Sequence, residues 1–241
     1  MSLKILVMKI IHKMIYYICR KLNRDPTSFI IISHRSDLSK IGTDYGGWVI
    51  STSLINSNSI CYCFGCGEDI SFDLGLIELF GCNVYGFDPT PRAIQYVRST
   101  AGNNLKYHFS EIGLWEKEDY LKFYVPQNKS HISHSLLNLQ KTDTFIKVKV
   151  DRLKKIMDNN KHNMLDLLKI DIEGAEYAVI DSIIADNLYI KIICVEYDEY
   201  HHPLDCNYRK RIRASAKKMV CSGYSLVDIR GGCNYTFIKN I

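Results

Sequence analysis

The residues best suited to chemistry in this 241-residue chain fall in four short blocks: FGCGED at 64–69, FDPTP at 87–91, KIDIEGAE at 169–176 and VEYDEYHHP at 195–203. Gly65-Cys66-Gly67 lets the backbone turn tightly and approach a ligand with no Cβ in the way. Asp88 follows Gly67 by 21 residues, at the end of an apolar run. A carboxylate there can accept both hydroxyls of an adenosine ribose. The same acid could instead cap the helix that starts near Pro89-Thr90-Pro91, but beside a glycine turn the ribose role is the stronger reading. Asp171, Glu173, Glu196, His201 and His202 supply carboxylates and imidazoles able to take a proton from a hydroxyl. The carboxylates could equally hold Mg2+, an ion that prefers oxygen ligands.

The glycine turn narrows the ligand. A dinucleotide loop of the form G-x-G-x-x-G needs glycine at position 70, where this chain has Ile70. Glu68 and Asp69 stand where a pyrophosphate would sit, and two carboxylates repel that anion. They tolerate a ligand that carries a sulfonium and an ammonium. The charges therefore favour S-adenosylmethionine over a nicotinamide cofactor.

These blocks need a scaffold that brings them to one edge. Apolar runs predict strands near 60–64, 83–87, 105–109, 166–170 and 191–197, with helices near 71–80, 91–100, 152–158, 175–185 and 206–222. Runs such as ICYCF and IKIICVEY lack polar alternation, as expected where helices cover both faces of a parallel sheet. Residues 120–125 alternate and predict an extra strand. Gly231-Gly232, between two strand-like runs, predicts a closing hairpin. The pattern is that of a doubly wound, mostly parallel α/β sheet ending in an antiparallel hairpin. In such sheets ligands bind beyond the carboxyl ends of the strands, which gathers residues 65–69, 88, 110–113, 171–174 and 196–202.

Other stretches are less decisive. Residues 27–34 read as a short strand or a helical continuation. The glycine-rich run 42–48 either folds over a cofactor or packs Trp48 into the core. Residues 126–143 are polar and serine-rich and read as a long lid or substrate loop, carrying His131 and His134. Glu173 and Glu176 open a helix, where acids are favoured by the dipole alone, so Glu176 reads as structural.

Composition bounds the class. The chain is 46% hydrophobic and 24% charged, as in a soluble globular protein. Six of its 31 Lys and Arg, and one of its 26 Asp and Glu, lie in residues 1–25, so the remainder is neutral. A neutral body argues against nucleic acid as the main partner. Residues 3–21 form a basic amphipathic helix, interrupted by Lys9, His12 and Lys13 and thus unsuited to span a membrane. It reads as a helix packed on the domain or on a second subunit, with anionic lipid as the alternative. The chain thus divides into an N-terminal helix, 1–24, and one domain, 25–241. Nine cysteines, an odd number, read as free thiols in a reducing cytoplasm, with peripheral contact at the inner membrane face the variant reading. Cys61, Cys63 and Cys66 read as core, not metal ligands.

Together, FGCGEDISFD, VYGFDPTP, LLKIDIEGAEYAVI and VEYDEYHHP resemble the FkbM-type S-adenosylmethionine-dependent methyltransferases, from about residue 45 to the final hairpin. KIDIEGAE is the closest match, to the family's K-I-D-x-E-G-x-E block. The resemblance implies a class I methyltransferase fold, Rossmann-like, and methylation of hydroxyl oxygens on carbohydrates, glycoconjugates or related natural products. It implies that Gly65 and Gly67 border the methionine part of the cofactor, with Glu68 or Asp69 near its ammonium. Asp88 would bind the ribose, Glu111, Ile112 and Gly113 would flank the adenine, and Asp171 would lie beside the methyl group. Cys66 departs from the family loop but is small. The competing readings are an NAD(P)-dependent oxidoreductase, disfavoured by Ile70 and the Glu68-Asp69 pair, and a non-catalytic membrane-associated binding module.

Overall fold

A computed structural model describes residues 30–124 and 144–240. The expected helix at 3–21 and the loop at 126–143, with His131 and His134, lie outside the described residues. In chain order the strands are β1 (Leu38–Ile41), β2 (Trp48–Ser51), β3 (Ile60–Phe64), β4 (Asn83–Phe87), β5 (Tyr107–Ser110), β6 (Gly113–Leu114), β7 (Asp119–Tyr124), β8 (Phe145–Asp151), β9 (Met164–Ile170), β10 (Tyr189–Glu196), β11 (Tyr224–Arg230) and β12 (Asn234–Lys239). The helices are α1 (Ser71–Phe80), α2 (Pro91–Ala101), α3 (Leu153–Asn159), α4 (Glu176–Ala185) and α5 (Tyr208–Cys221).

Seven strands form the main sheet in the order β11-β12-β10-β9-β3-β4-β5. β5, β4, β3, β9 and β10 run parallel, while β12 pairs antiparallel with both β10 and β11. This is the expected doubly wound, mostly parallel sheet with its antiparallel hairpin. The order reverses between β3 and β9, so the crevice at their carboxyl ends is the natural ligand site.

β3 shows why both faces are covered. Successive side chains point to opposite faces, so Cys61 and Cys63 join one core with Phe72, Leu76 and Val97, from α1 and α2. Tyr62 and Phe64 join the other, with Ile156, Val179 and Ile212, from α3, α4 and α5. The Cys61–Cys63 pair is core, as expected.

The expected elements recur with shifted ends. The third strand begins at Tyr107 instead of 105, because Leu105 is turned out to solvent. Residues 30–37 contain neither strand nor helix. The run 42–48 is mostly the turn of a β1–β2 hairpin that the sequence reading lacked. That hairpin buries Trp48, and Thr236 of β12 donates its hydroxyl to the Val49 carbonyl at 2.7 Å. β8 was also not anticipated. It pairs with β7 and β6 in a small separate sheet.

The closing hairpin turns through Gly231 and Gly232, at φ +61 and +83. Two central residues at positive φ match the twist of the flanking strands. A Cβ on Gly232 would lie 2.5 Å from the Tyr200 ring, so this turn also abuts the loop after β10. Gly232→Ala is expected to cost at least ~1–2 kcal/mol from the left-handed backbone alone. Chemical denaturation checks this, and an unchanged midpoint would refute the backbone cost at this turn.

Candidate functional site

The turn after β3 is held from both sides. Gly65, at φ +84, could not carry a side chain, since its Cβ would lie 1.7 Å from the Asp171 carbonyl oxygen. Its own carbonyl accepts a hydrogen bond from Lys169 Nζ at 2.6 Å. On the other side, the N–H groups of Cys66 and Gly67 donate to Asp88 Oδ2, each at 3.0 Å. Gly67, at φ +52, differs from Gly65: a Cβ there would meet nothing within 4 Å. Its exposed side is open space of the kind a ligand can fill.

That space belongs to a cavity of about 540 Å³, lined in part by Tyr45, Gly65, Gly67, Asp88, Asp171 and His201. The volume is in the range of small-molecule sites. Its lining is acid-rich, for Glu68, Asp69, Glu173, Glu196 and Asp198 also face it. Several of these acids are already engaged. Arg92 grips Glu68 in a two-pronged pair at 3.0 and 2.8 Å. Asp69 accepts from the Thr43 hydroxyl at 2.6 Å and from the Ser71 N–H at 2.8 Å. Burial opposes the Asp69 charge, yet these hydrogen bonds bring its pKa below the ordinary value. Asp88 Oδ1 accepts from the N–H and hydroxyl of Thr90, at 2.9 and 2.7 Å. Four protein donors thus occupy the roughly four lone-pair positions of the Asp88 carboxylate.

The far half of the cavity is built on the ends of β9 and β10. Asp171 lies 3.2 Å from the Lys169 ammonium. Glu173 is held at φ +55, followed by Gly174 at φ +104. Non-glycine residues in that conformation store strain and gather at functional sites. Burial and then the Asp171 charge push Glu196 up to about 8. Burial also raises Asp198 and lowers His201, which favours the neutral imidazole. His201 Nε2 lies 3.2 Å from the Cys233 sulfur and 3.8 Å from Glu196 Oε1. The segment carrying these groups is braced by Glu199, a buried acid. Tyr177 donates to it at 2.9 Å, and Arg211 pairs with it through Nε at 2.9 Å and through Nη2.

Of the residues singled out from sequence, Gly65, Gly67, Glu68, Asp69, Asp88, Gly113, Asp171, Glu173, Glu196, His201 and His202 all line this one cavity. Glu111 and Ile112 do not. Glu111 pairs with Arg98 at the surface, and Ile112 packs against the core. Glu176 is fully buried, with Oε1 accepting from the Gly174 N–H at 2.9 Å and Oε2 lacking a partner. It is structural, as its place at a helix start suggested. The sequence reading gathered Asp198 only within 196–202 and Tyr45 only within 42–48, and it missed Lys169 and Cys233. Lys169 stood inside a quoted block, but Cys233 reaches the site only through long-range pairing of β12 with β10.

The Methyltransferase FkbM domain family matches residues 56–219. No curated protein matches the chain by sequence. Among solved structures, the Methanococcus jannaschii fibrillarin pre-rRNA processing protein is similar at 11% identity and a TM-score of 0.46, covering 88% of this chain and 87% of that one. Aeropyrum pernix fibrillarin, natively bound to S-adenosyl-L-methionine, is similar at 10% identity and 0.41, covering 78% and 68%. At such identities the likeness concerns fold alone.

The two glycines separate fold from binding. Gly65→Ala is expected to destroy the fold, because backbone would have to move. Gly67→Ala is expected to fold, at ~1–2 kcal/mol of backbone strain, and to lose S-adenosylhomocysteine affinity by calorimetry. Full affinity in Gly67→Ala would move the ligand away from this turn. A second expectation concerns Glu176, which burial pushes up to about 8 from an ordinary 4.5. The folded chain then holds a proton that the unfolded chain releases, so this contribution is complete below about pH 4.5 and is lost as pH rises toward 8. The melting temperature should fall across that window, and Glu176→Gln should flatten the slope.

Proposed function

The chain belongs to the FkbM methyltransferase family, and on that premise we propose that it transfers a methyl group to a hydroxyl oxygen of a carbohydrate, glycoconjugate or related natural product. The observation that carries this reading is the union, in one cavity, of an open glycine turn and an acid-rich half that holds the His201 imidazole. The unfilled space at Gly67 and the acidic lining suit S-adenosylmethionine, which supplies an electrophilic methyl on a positive sulfonium. The same lining is hostile to the pyrophosphate of NAD(P), and to the phosphates of a nucleic acid acceptor.

In this reading Gly65 and Gly67 border the methionine part and Gly113 the adenine. Asp88 takes the ribose, for which the Thr90 hydroxyl has to rotate off Oδ1. Glu68 is shared with Arg92, so the ligand ammonium is better served by Asp69 or by the Gly65–Gly67 turn itself. Asp171 faces the acceptor at the methyl-transfer point. Positioning of acceptor against donor supplies much of the rate, on the order of 7–11 kcal/mol in favourable cases. A hydroxyl must also lose its proton, and His201, Glu196 and Glu173 are the acceptors within the cavity. Mg2+ would take oxygen ligands, and Asp171, Glu173, Glu196 and Asp198 are the cavity carboxylates on this side that could supply them.

We further propose one methyltransferase domain over 25–241 and a cytoplasmic setting, with residues 3–21 as a contact to a second subunit or to lipid at the inner membrane face. Among the described residues no helix is long and apolar enough to cross a membrane.

The test is transfer of a labelled methyl from S-adenosylmethionine onto a glycan extract, with oligoribonucleotides as a parallel acceptor. Label in the glycan fraction, lost in Asp171→Asn while S-adenosylhomocysteine still binds, is the expected result. Label in RNA alone would overturn the acceptor class, and a fully active Asp171→Asn would remove that residue from the reaction.

A further inference from the structure

Three side chains that the family resemblance does not account for as a set meet at the rim of the cavity. Glu196, His201 and Cys233 each offer a ligand atom, and these atoms all lie within 4.8 Å of one another. No other group of three His, Cys, Asp or Glu among the described residues does so. Two of the separations, 3.2 Å from His201 Nε2 to Cys233 Sγ and 3.8 Å from Nε2 to Glu196 Oε1, bracket the edge of a small tetrahedron. With metal–ligand bonds of about 2.0–2.3 Å, tetrahedral edges run to roughly 3.3–3.6 Å.

Each ligand sits on a braced element. Glu196 ends β10 and lies opposite Asn234 of β12, so Cys233 falls next to it by register. The Cys233 carbonyl accepts the Tyr197 N–H at 2.9 Å, which fixes the turn. The His201 N–H donates to the Asp198 carbonyl at 2.9 Å, and the adjoining Glu199 is clamped by Tyr177 and Arg211. Cys233 is nearly buried, while the His201 and Glu196 side chains are 49% and 26% exposed. One side of the trio is therefore dry and the other open to the cavity.

We propose that Glu196, His201 and Cys233 bind one thiophilic divalent cation, of which Zn2+ is the best fit, with a fourth position left open toward the cavity. A sulfur, an imidazole nitrogen and a carboxylate oxygen form a mixed set that suits zinc and not magnesium. Three protein ligands with one open position are the arrangement of catalytic, not structural, zinc sites. The role of the open position rests on the O-methyltransferase reading above. A hydroxyl oxygen bound there is polarised and gives up its proton more readily, to Glu173 in the same cavity, since Glu196 and His201 then serve as ligands.

Cobalt is the probe, because Co2+ replaces zinc and reports its ligands by colour. The chain carrying Cys206→Ser and Cys221→Ser, which removes the two exposed thiols among the described residues, and Cys19→Ser, which removes the one thiol outside them, is stripped with a chelator and titrated with Co2+. A thiolate-to-cobalt absorption saturating at one equivalent, with the visible bands of a tetrahedral site, is expected. Cys233→Ser should abolish the thiolate band, and His201→Ala should weaken cobalt binding tenfold or more. His201 is half-exposed, so its variant tests the site even if Cys233→Ser fails to fold. No thiolate band at one equivalent, or a band that survives in folded Cys233→Ser, would overturn the proposal. S-adenosylhomocysteine binding is measured on the same sample. Binding without the cobalt signal sinks only the metal site; the cobalt signal without binding sinks the methyltransferase reading and leaves the metal.

Discussion

The ammonium of Lys169 is the interaction on which the site depends. It lies buried at the switch point of the sheet, 2.6 Å from the Gly65 carbonyl and 3.2 Å from Asp171. Burial works against its charge, but Asp171 and Asp73 outweigh burial and hold it protonated. A buried cation is tolerated only when paired and hydrogen-bonded, and here both needs are met by the two loops that must be brought together. Lys169 ties the turn after β3 to the end of β9 from the carbonyl side. Asp88 ties the same turn to the end of β4 from the N–H side. Three strand ends are thereby locked around a loop with no side chains of its own to anchor it.

This clamp explains how so many carboxylates share one cavity. Asp69 and Asp88 are satisfied by local neutral donors, and Glu68 by the Arg92 guanidinium. Glu196 and Asp198 have hydrogen-bonding neighbours in Cys233 and Glu173, but burial outweighs them and both acids hold protons more tightly. The cavity is therefore divided. Near β3 and β4 the acids are fixed by local donors, and near β10 burial dominates.

The sheet, the order of its blocks and most of the cavity lining were legible in the sequence, because apolar runs and strand-end acids are local signals. The β1–β2 hairpin was not: the Gly42–Gly47 glycines read as a loop, and the pairing of Leu38–Ile41 with Trp48–Ser51 depends on packing against β12. In β8 the alternation of FIKVKVD was visible, but its partner β7 lies across residues 125–143. Glu111 shows the reverse error. It follows a strand as Asp88 does, yet Arg98, 13 residues earlier on α2, draws it to the surface. Cys233 was hidden because nothing near it in sequence resembles a site; only the register of β12 on β10 reveals its neighbours.

That register has a consequence for how the molecule is born. β12 enters the sheet antiparallel, so its start, not its end, arrives at the ligand crevice. The glycine turn emerges from the ribosome some 170 residues before Cys233, and the strands between them can pair while synthesis continues. The crevice itself stays unfinished until the final hairpin docks, since Cys233 and Asn234 complete its rim. A stop between α5 and the hairpin would leave β10 without its antiparallel neighbour, a largely apolar edge and a template for aggregation.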